Sequence, residues 1–403
     1  MHMRVRKSFF VFFRRLIAMV LPATALAGGW TFAGGAEGQG AFRSLAVSQQ
    51  ASAAYTPSQI ATAYDFAPLY KAGIDGTGQK VALIELDAPS TSDLTYFDQT
   101  YNLPSPKIKQ YYVGGKKFTV KAGEEATLDA EWLHALAPGA SIQVYYLKSQ
   151  AVSPKSWQQM GSVLRSAAAN GARIVSISLG TCRASKGYSA TDSALASLEQ
   201  QGVSVFVASG DDGANPGPTR DCGSLPGVSY PAGDPWVVAV GGTSLQLNGD
   251  STIALETAWK LSGGGLVAKF QRPAWQQAAT LPADAYRWAP DVSFVADPST
   301  GVRVYFRGRW REVGGTSLGA PGWAAAWALI RAGAQQAGVS VGAASSLIYT
   351  VGNSPAYPQA FHEITEGSNG LYDAGPGWNA VTGWGTPDVA NLATAVQSVI
   401  SGG

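Results

Sequence analysis

Residues 313–326 read VGGTSLGAPGWAAA: a glycine pair, Thr316 and Ser317, then Pro321 opening an alanine-rich run. Proline fits the first turn of a helix, where backbone N–H groups have no intrahelical partner. The pattern therefore predicts a helix over 322–334, with Ser317 at its entrance near the positive end of the dipole. That is the setting of a nucleophilic serine, and such a hydroxyl needs a base. Histidine, the commonest base, occurs only at positions 2, 134 and 362. Acids are better placed. In GEEATLDAEWLHALAPGA, residues 123–140, the apolar spacing is helical and Pro138-Gly139 ends the run. Glu125 and Asp129 are four apart, so they stand about 40° apart around that helix and can share a hydrogen bond. His134, nine positions from Glu125, faces roughly the opposite way. A solvated acidic face is the alternative, although Leu128, Ala130, Trp132 and Leu133 leave little open surface. In VSVFVASGDDGA, residues 203–214, an apolar run enters a tight turn and puts Asp211 at a strand's carboxyl end. Active sites of open parallel sheets lie there; a turn-forming Asp is the bland reading.

These residues need a frame. Near-continuous apolar runs at 81–85, 141–146, 174–177, 203–208 and 236–240 read as buried parallel strands. Helical patterns at 126–137, 157–170 and 190–201 separate them. The alternation implies an α/β fold, a mostly parallel sheet flanked by helices. Residues 259–313, rich in Gly, Pro and Trp, read as long surface loops and β-hairpins. One domain, 54–403, is expected. Before it, residues 1–27 have a basic start, a short apolar stretch broken by Pro22 and an Ala25-Leu26-Ala27 site, the layout of a secretory signal peptide. An uncleaved anchor is the alternative. Residues 28–53 read as a linker or a short remnant of a pro-segment. Six of the 29 basic residues and one of the 27 acidic ones lie in 1–53, leaving 23 and 26, a net of −3. Nothing in that balance suggests a nucleic-acid partner, and the rest of the chain has no transmembrane stretch.

At this point GGTSLGAP resembles the nucleophile motif of the sedolisins, the serine-carboxyl peptidases with the three-layer fold of subtilisin. EATLDAEWLHALAPGA resembles their Glu-x-x-x-Asp helix and ASGDDGA their oxyanion turn. YTPSQIATAY, SISLGT, SYPAGDPWVVAVGGTSL, SGGGL, PDVSFVADPSTG and FHEITEG…AGPGWNAVTGWGTP extend the likeness, nearest to the kumamolisin-like branch, over most of 55–400. The resemblance implies Ser317 as nucleophile, Glu125 as general base, Asp129 as its orienting partner and Asp211 as oxyanion stabiliser. It implies a secreted, acid-acting, monomeric endopeptidase of polypeptides. A tripeptidyl-peptidase of the same family, or a non-catalytic binding protein retaining the fold, is the alternative; a serine hydrolase using His134 or His362 is disfavoured by their contexts. The strand at 174–179 corresponds to an open edge to which an extended peptide adds. Ser178, Leu179 and Gly180 on one side, and Ser262, Gly263 and Gly264 on the other, are the expected walls; the alternative for the glycines is a flexible loop.

The chain also departs from the family. Sedolisins carry a large folded prodomain, where this sequence offers residues 28–53, so the domain is expected to fold without one or with a separately encoded helper. The family's calcium site takes two Asp side chains and three carbonyls. The matching positions are Glu363 and Asn379, with Ile364, Gly375 and Gly377 supplying carbonyls. All are oxygen donors, so one Ca2+, held more weakly, is expected. Cys182 and Cys222, the two cysteines, suggest one disulfide in an exported protein; two buried thiols are the alternative.

Overall fold

The computed structural model describes residues 54–114, 117–148, 154–181, 188–214 and 227–402. The leader 1–27, the segment 28–53, Cys182 and Cys222 lie outside the described residues. In chain order the strands are β1 (Lys80–Glu85), β2 (Lys107–Tyr112), β3 (Ser141–Tyr146), β4 (Ile174–Ile177), β5 (Ser204–Ala208), β6 (Val238–Leu247) and β7 (Ile253–Ala258). Then β8 (Gly265–Gln271) pairs with β9 (Tyr286–Ala289), and β10 (Val292–Val295) rejoins the main sheet. A hairpin of β11 (Val302–Phe306) and β12 (Arg309–Val313) follows, and β13 (Phe361–His362) and β14 (Thr386–Pro387) close as a short pair. The helices are α1 (Pro57–Ala63), α2 (Ala67–Lys71), α3 (Thr91–Tyr101), α4 (Glu124–Leu136), α5 (Pro154–Ala169) and α6 (Tyr188–Gln200). After them come the long α7 (Thr316–Gln336), α8 (Ala344–Gly352), α9 (Tyr357–Ala360) and α10 (Val389–Ser401).

The sheet runs β10-β6-β5-β4-β1-β3-β2, all parallel, with β7 antiparallel on β6. Side chains alternate between its faces with the two-residue strand period. Val81, Leu83 and Phe206 enter the core shared with α1, α4, α7 and α10. Ala82, Ile84, Val205 and Val207 enter the opposite core, shared with α5 and α6. The three layers are those expected of a subtilisin-like α/β fold. Among the described residues no helix is long and apolar enough to cross a membrane.

Three local expectations need correction. Within 259–313, β10 is a fully buried strand of the main sheet, not a loop. The four residues of β10, bounded by Pro290-Asp291 and Asp297-Pro298, are too few to show a period against such turn signals. The serine helix begins at Thr316, six residues before the expected start, with Pro321 inside it. And β4 is no edge: β1 and β5 pair with it on either side. Only the extension beyond Ile177 leaves the ladder, since the β4–β5 register ends at Ile177 opposite Val207.

α4 positions the acids, and it is buried on every face from Glu125 to Leu136. Glu131 on it accepts one bond, from Tyr305 N–H (3.0 Å), and its other oxygen has no partner. Burial first, then the charges of Asp93 and Asp98, pushes its pKa from 4.5 up to about 9. The folded state therefore holds a proton that the unfolded state releases. The resulting stability is complete below pH 4.5 and is lost as pH rises to about 9. Glu131→Gln should flatten that decline: its melting temperature at the alkaline end should fall short of its acid value by roughly 5 °C less than the wild type's. Parallel pH dependences in the two proteins, followed by differential scanning fluorimetry, would contradict this.

Candidate active site

Ser317 is the second residue of α7, so its N–H is one of the orphan donors at the helix start. A proline at 321 cannot return a hydrogen bond to the carbonyl of Ser317, four residues earlier. That carbonyl is met instead by the Ser178 hydroxyl (3.1 Å), which also lies 2.7 Å from Asp129 Oδ2. One buried hydroxyl thus ties the serine helix, the end of β4 and the acid helix together.

The carboxyls meet at the ends of β1 and α4. Glu125 and Asp129 are 3% and 0% exposed, which excludes the solvated-face reading. Burial, then the Asp129 charge, drives the Glu125 carboxyl well above the usual carboxylate range, while the neighbouring Ser317 hydroxyl pulls it partly back. Neither Glu125 oxygen nor Ser317 Oγ has a completed hydrogen bond. Such bonds are frequently long before substrate binds. Burial raises Asp129 to about 7, against the lowering effect of Ser178 and then Glu85. Glu85, fully buried at the end of β1, was not anticipated. It faces Asp129, and burial together with Asp129, Asp87 and Glu125 holds it strongly protonated. Adjacent carboxyls that cannot all ionise share protons as a unit. The available signal was an acid closing the apolar run VALIE. Asp87 sits against Gly123, the N-cap of α4, where any Cβ would collide with its Oδ2, and it accepts from Ala126 N–H (3.3 Å).

Asp211 lies across the entrance of α7. Its Oδ1 accepts from Thr316 N–H (2.8 Å) and Thr316 Oγ1 (2.7 Å). The same Thr316 oxygen accepts from Gly210 N–H (3.0 Å), so Thr316, also not anticipated, clamps the turn to the helix. Oδ2 points past Gly315, where a Cβ would stand 2.7 Å away and where φ is +111°. Only glycine suits that backbone. Burial lifts the Asp211 pKa to about 6, although both Thr316 bonds lower it.

The expected walls are built otherwise than supposed. Ser178 turns inward, as described, and Leu179 is buried in the core beneath α5 and α6; Gly180 is half-buried. Ser262 Oγ is occupied by Gly242 N–H (2.9 Å) and Val381 O (2.8 Å). Gly263 N–H donates to Gly210 O (2.7 Å), and a Cβ there would lie 2.4 Å from Ser209 O. A Cβ on Gly264 would lie 2.2 Å from Ala380 O. Gly263 is forced by close packing against the turn that carries Asp211 and Gly264 by packing against Ala380, which does not fit a flexible loop. His134 is buried against Pro104 O (2.8 Å) and Asp98 (3.6 Å). His362 lies by Thr386 (3.5 Å). Neither joins the site. Glu363, Ile364, Gly375, Gly377 and Asn379 do converge, but their hydrogen bonds do not fit a calcium ion: the Asn379 amide N–H₂ donates to Ile364 O and Gly375 O, and Gly377 N–H donates to Glu363.

The sequence matches the subtilase family over residues 119–385. It is 34% identical over 378 residues to kumamolisin of Bacillus sp. (strain MN-32), covering 86% of this chain and 64% of that protein. To sedolisin of Pseudomonas sp. (strain 101) it is 28% identical over 369 residues, covering 85% and 61%. To tripeptidyl-peptidase 1 of Bos taurus it is 28% identical over 316 residues, covering 71% and 54%. The chain thus spans less than two thirds of the length of these relatives. Pseudomonas sedolisin, a serine-carboxyl proteinase solved with two molecules of pseudo-iodotyrostatin, matches with a TM-score of 0.74 at 27% identity, over 86% of this chain and 99% of that one.

Removing the Ser178 hydroxyl takes a donor from Asp129, which disfavours its ionised form and raises its pKa further. Ser178→Ala should move the acid limb of kcat/KM to higher pH and lower kcat about tenfold or more. An unshifted limb in the folded variant would detach Ser178 from the carboxyls.

Proposed function

The chain belongs to the subtilase family, and on that premise we propose that it is an acid-acting serine-carboxyl endopeptidase that cleaves polypeptides through an acyl-enzyme. One observation carries this: buried Glu125 adjoins both Ser317 and Asp129, and neither described histidine reaches them. Glu125 takes the Ser317 proton as Oγ attacks the scissile carbonyl carbon. The developing oxyanion accepts from Ser317 N–H and from the protonated Asp211 carboxyl. Glu125 then gives its proton to the leaving amine as the C–N bond breaks, and water repeats the sequence to release the acyl group. Asp129, in contact with Glu85 and Ser178, orients Glu125 and shares its proton. The apolar, Ala-Leu-Ala-ended residues 1–27 support export, and action as a monomer is part of the proposal. Similarity to tripeptidyl-peptidase 1 supports a second reading, release of tripeptides from a free amino terminus, which product lengths from a denatured protein distinguish.

Ser317→Ala and Glu125→Ala should each remove proteolysis of a denatured protein at acid pH, by about 10⁴-fold or more, in folded protein. The double variant should add little, because both act in one proton transfer. Full activity in folded Glu125→Ala would end the serine-carboxyl reading.

Asp211 helps only while neutral, so with its pKa raised to about 6 the alkaline fall of kcat/KM should partly follow its ionisation. An amide donates at any pH. Asp211→Asn should weaken that fall while lowering the maximum rate by less than about 10²-fold. An unchanged alkaline limb for a small peptide, in a folded and active variant below its unfolding pH, would remove Asp211 from the oxyanion role.

A further inference from the structure

The loop between β13 and β14 gathers backbone carbonyls as a cation site would, yet every one of Asn379's polar atoms is already committed. Its Nδ2 donates to Ile364 O (3.2 Å) and Gly375 O (3.1 Å). Its Oδ1 accepts from Val381 N–H (3.1 Å), Thr382 N–H (2.9 Å) and Thr382 Oγ1 (3.0 Å). Asn379 also pairs through its backbone with Gly383 in both directions (3.1 and 2.9 Å). The amide's orientation is chemically determined. Turned by 180°, it would face carbonyl oxygens with an oxygen and amide N–H groups with an N–H₂, leaving both sides repelled and unpaired. Glu363 points the same way. Its Oε1 accepts from Gly377 N–H (2.7 Å) and Tyr357 Oη–H (3.3 Å), so a donor proton lies where a ligated cation would need open oxygen.

We propose that the Asn379 side-chain amide takes the place of a cation in this loop, so that the chain closes it without calcium. An amide N–H₂ offers two donors and no charge, which matches the two neutral carbonyls it meets. A calcium ion needs six to eight oxygens at about 2.3–2.6 Å. To bind one, Asn379 would have to surrender both of its carbonyl partners, and flipping it to offer Oδ1 would strip three donors of their acceptor. An aspartate at this position cannot donate, so the same two carbonyls would be left facing a carboxylate, an arrangement that only a cation reconciles. The substitution that removes the charge is also the one that supplies the missing donors.

The test uses thermal stability and metal content of the full chain, which are read independently of proteolysis. Protein dialysed against a chelator should contain no stoichiometric calcium, and its melting temperature should be the same in chelator as in millimolar calcium. Asn379→Asp should become calcium-responsive: less stable than wild type in chelator and raised by several degrees on adding calcium. Asn379→Leu should be destabilised equally in both conditions. A wild-type melting temperature that falls in chelator, or calcium retained at one ion per chain, would overturn the proposal. A folded Asn379→Asp that ignores calcium would overturn it too, by showing that the carbonyls do not form a cation cradle. If Asn379→Asp folds in neither condition, the wild-type comparison decides alone.

Discussion

The site depends on burying three carboxyls together with no cation to neutralise them. Among the described residues, no ion pair reaches Glu85, Glu125 or Asp129. Charge is disfavoured there by desolvation and again by each neighbour, so the cluster retains protons that exposed carboxyls would release. The same molecule shows the other solution at Asp291. There Arg287 grips both oxygens (2.5 and 2.7 Å), with Tyr349 (2.8 Å) and Ala239 N–H (2.7 Å) completing the set. Both Asp291 oxygens are thereby paired with a fixed positive charge. Glu85, Glu125 and Asp129 have no such partner among the described residues.

Holding such a cluster open requires stiff surroundings. α7 is buried along nearly its whole length and comes so close to β6 and β10 that a Cβ on Gly319 would lie 2.7 Å from Val240 Cγ1. Pro321 then converts a backbone deficit into a link: the carbonyl it leaves unpaired becomes an acceptor for Ser178, whose hydroxyl also reaches Asp129. Thr316 does the corresponding work at the Asp211 turn, gripping Asp211 and Gly210 from one residue before Ser317. Both sides of the site are fixed by buried hydroxyls, Thr316 at the start of α7 and Ser178 just past the end of β4.

Much of this was legible because burial leaves a periodic mark. β3 and β4 stand where their apolar runs lie, and α4 carries Glu125 and Asp129 at helical spacing. What failed was whatever depended on pairing across distance. β10 is too short to display a period, and the interior place of β4 follows from strand order, which a run of four residues does not encode. The early start of α7 was hidden by treating Pro321 as a first-turn residue, when the carbonyl it leaves unpaired, that of Ser317, is met by Ser178, 139 positions before Ser317. Glu85 read as a strand end because nothing near it in sequence announces Asp129. Asn379 read as an oxygen donor because residue type does not reveal which half of an amide faces inward.

That last distinction separates the Asn379 loop from the Ser317 site. At Asn379 each donor meets an acceptor, no group titrates, and the loop is locked at any pH at which the fold persists. At Ser317 the polar atoms are equally buried but Oγ and both Glu125 oxygens are unpartnered. Unpaired buried polar groups are costly, and α7 and α4, packed against each other in the core on one side of the sheet, bear that cost in apolar burial. Unpartnered polar atoms also occur away from Ser317, at Tyr146, Trp157, Asp234 and Trp327 among others, so what sets this site apart is the grouping of a hydroxyl with several carboxyl oxygens in one place.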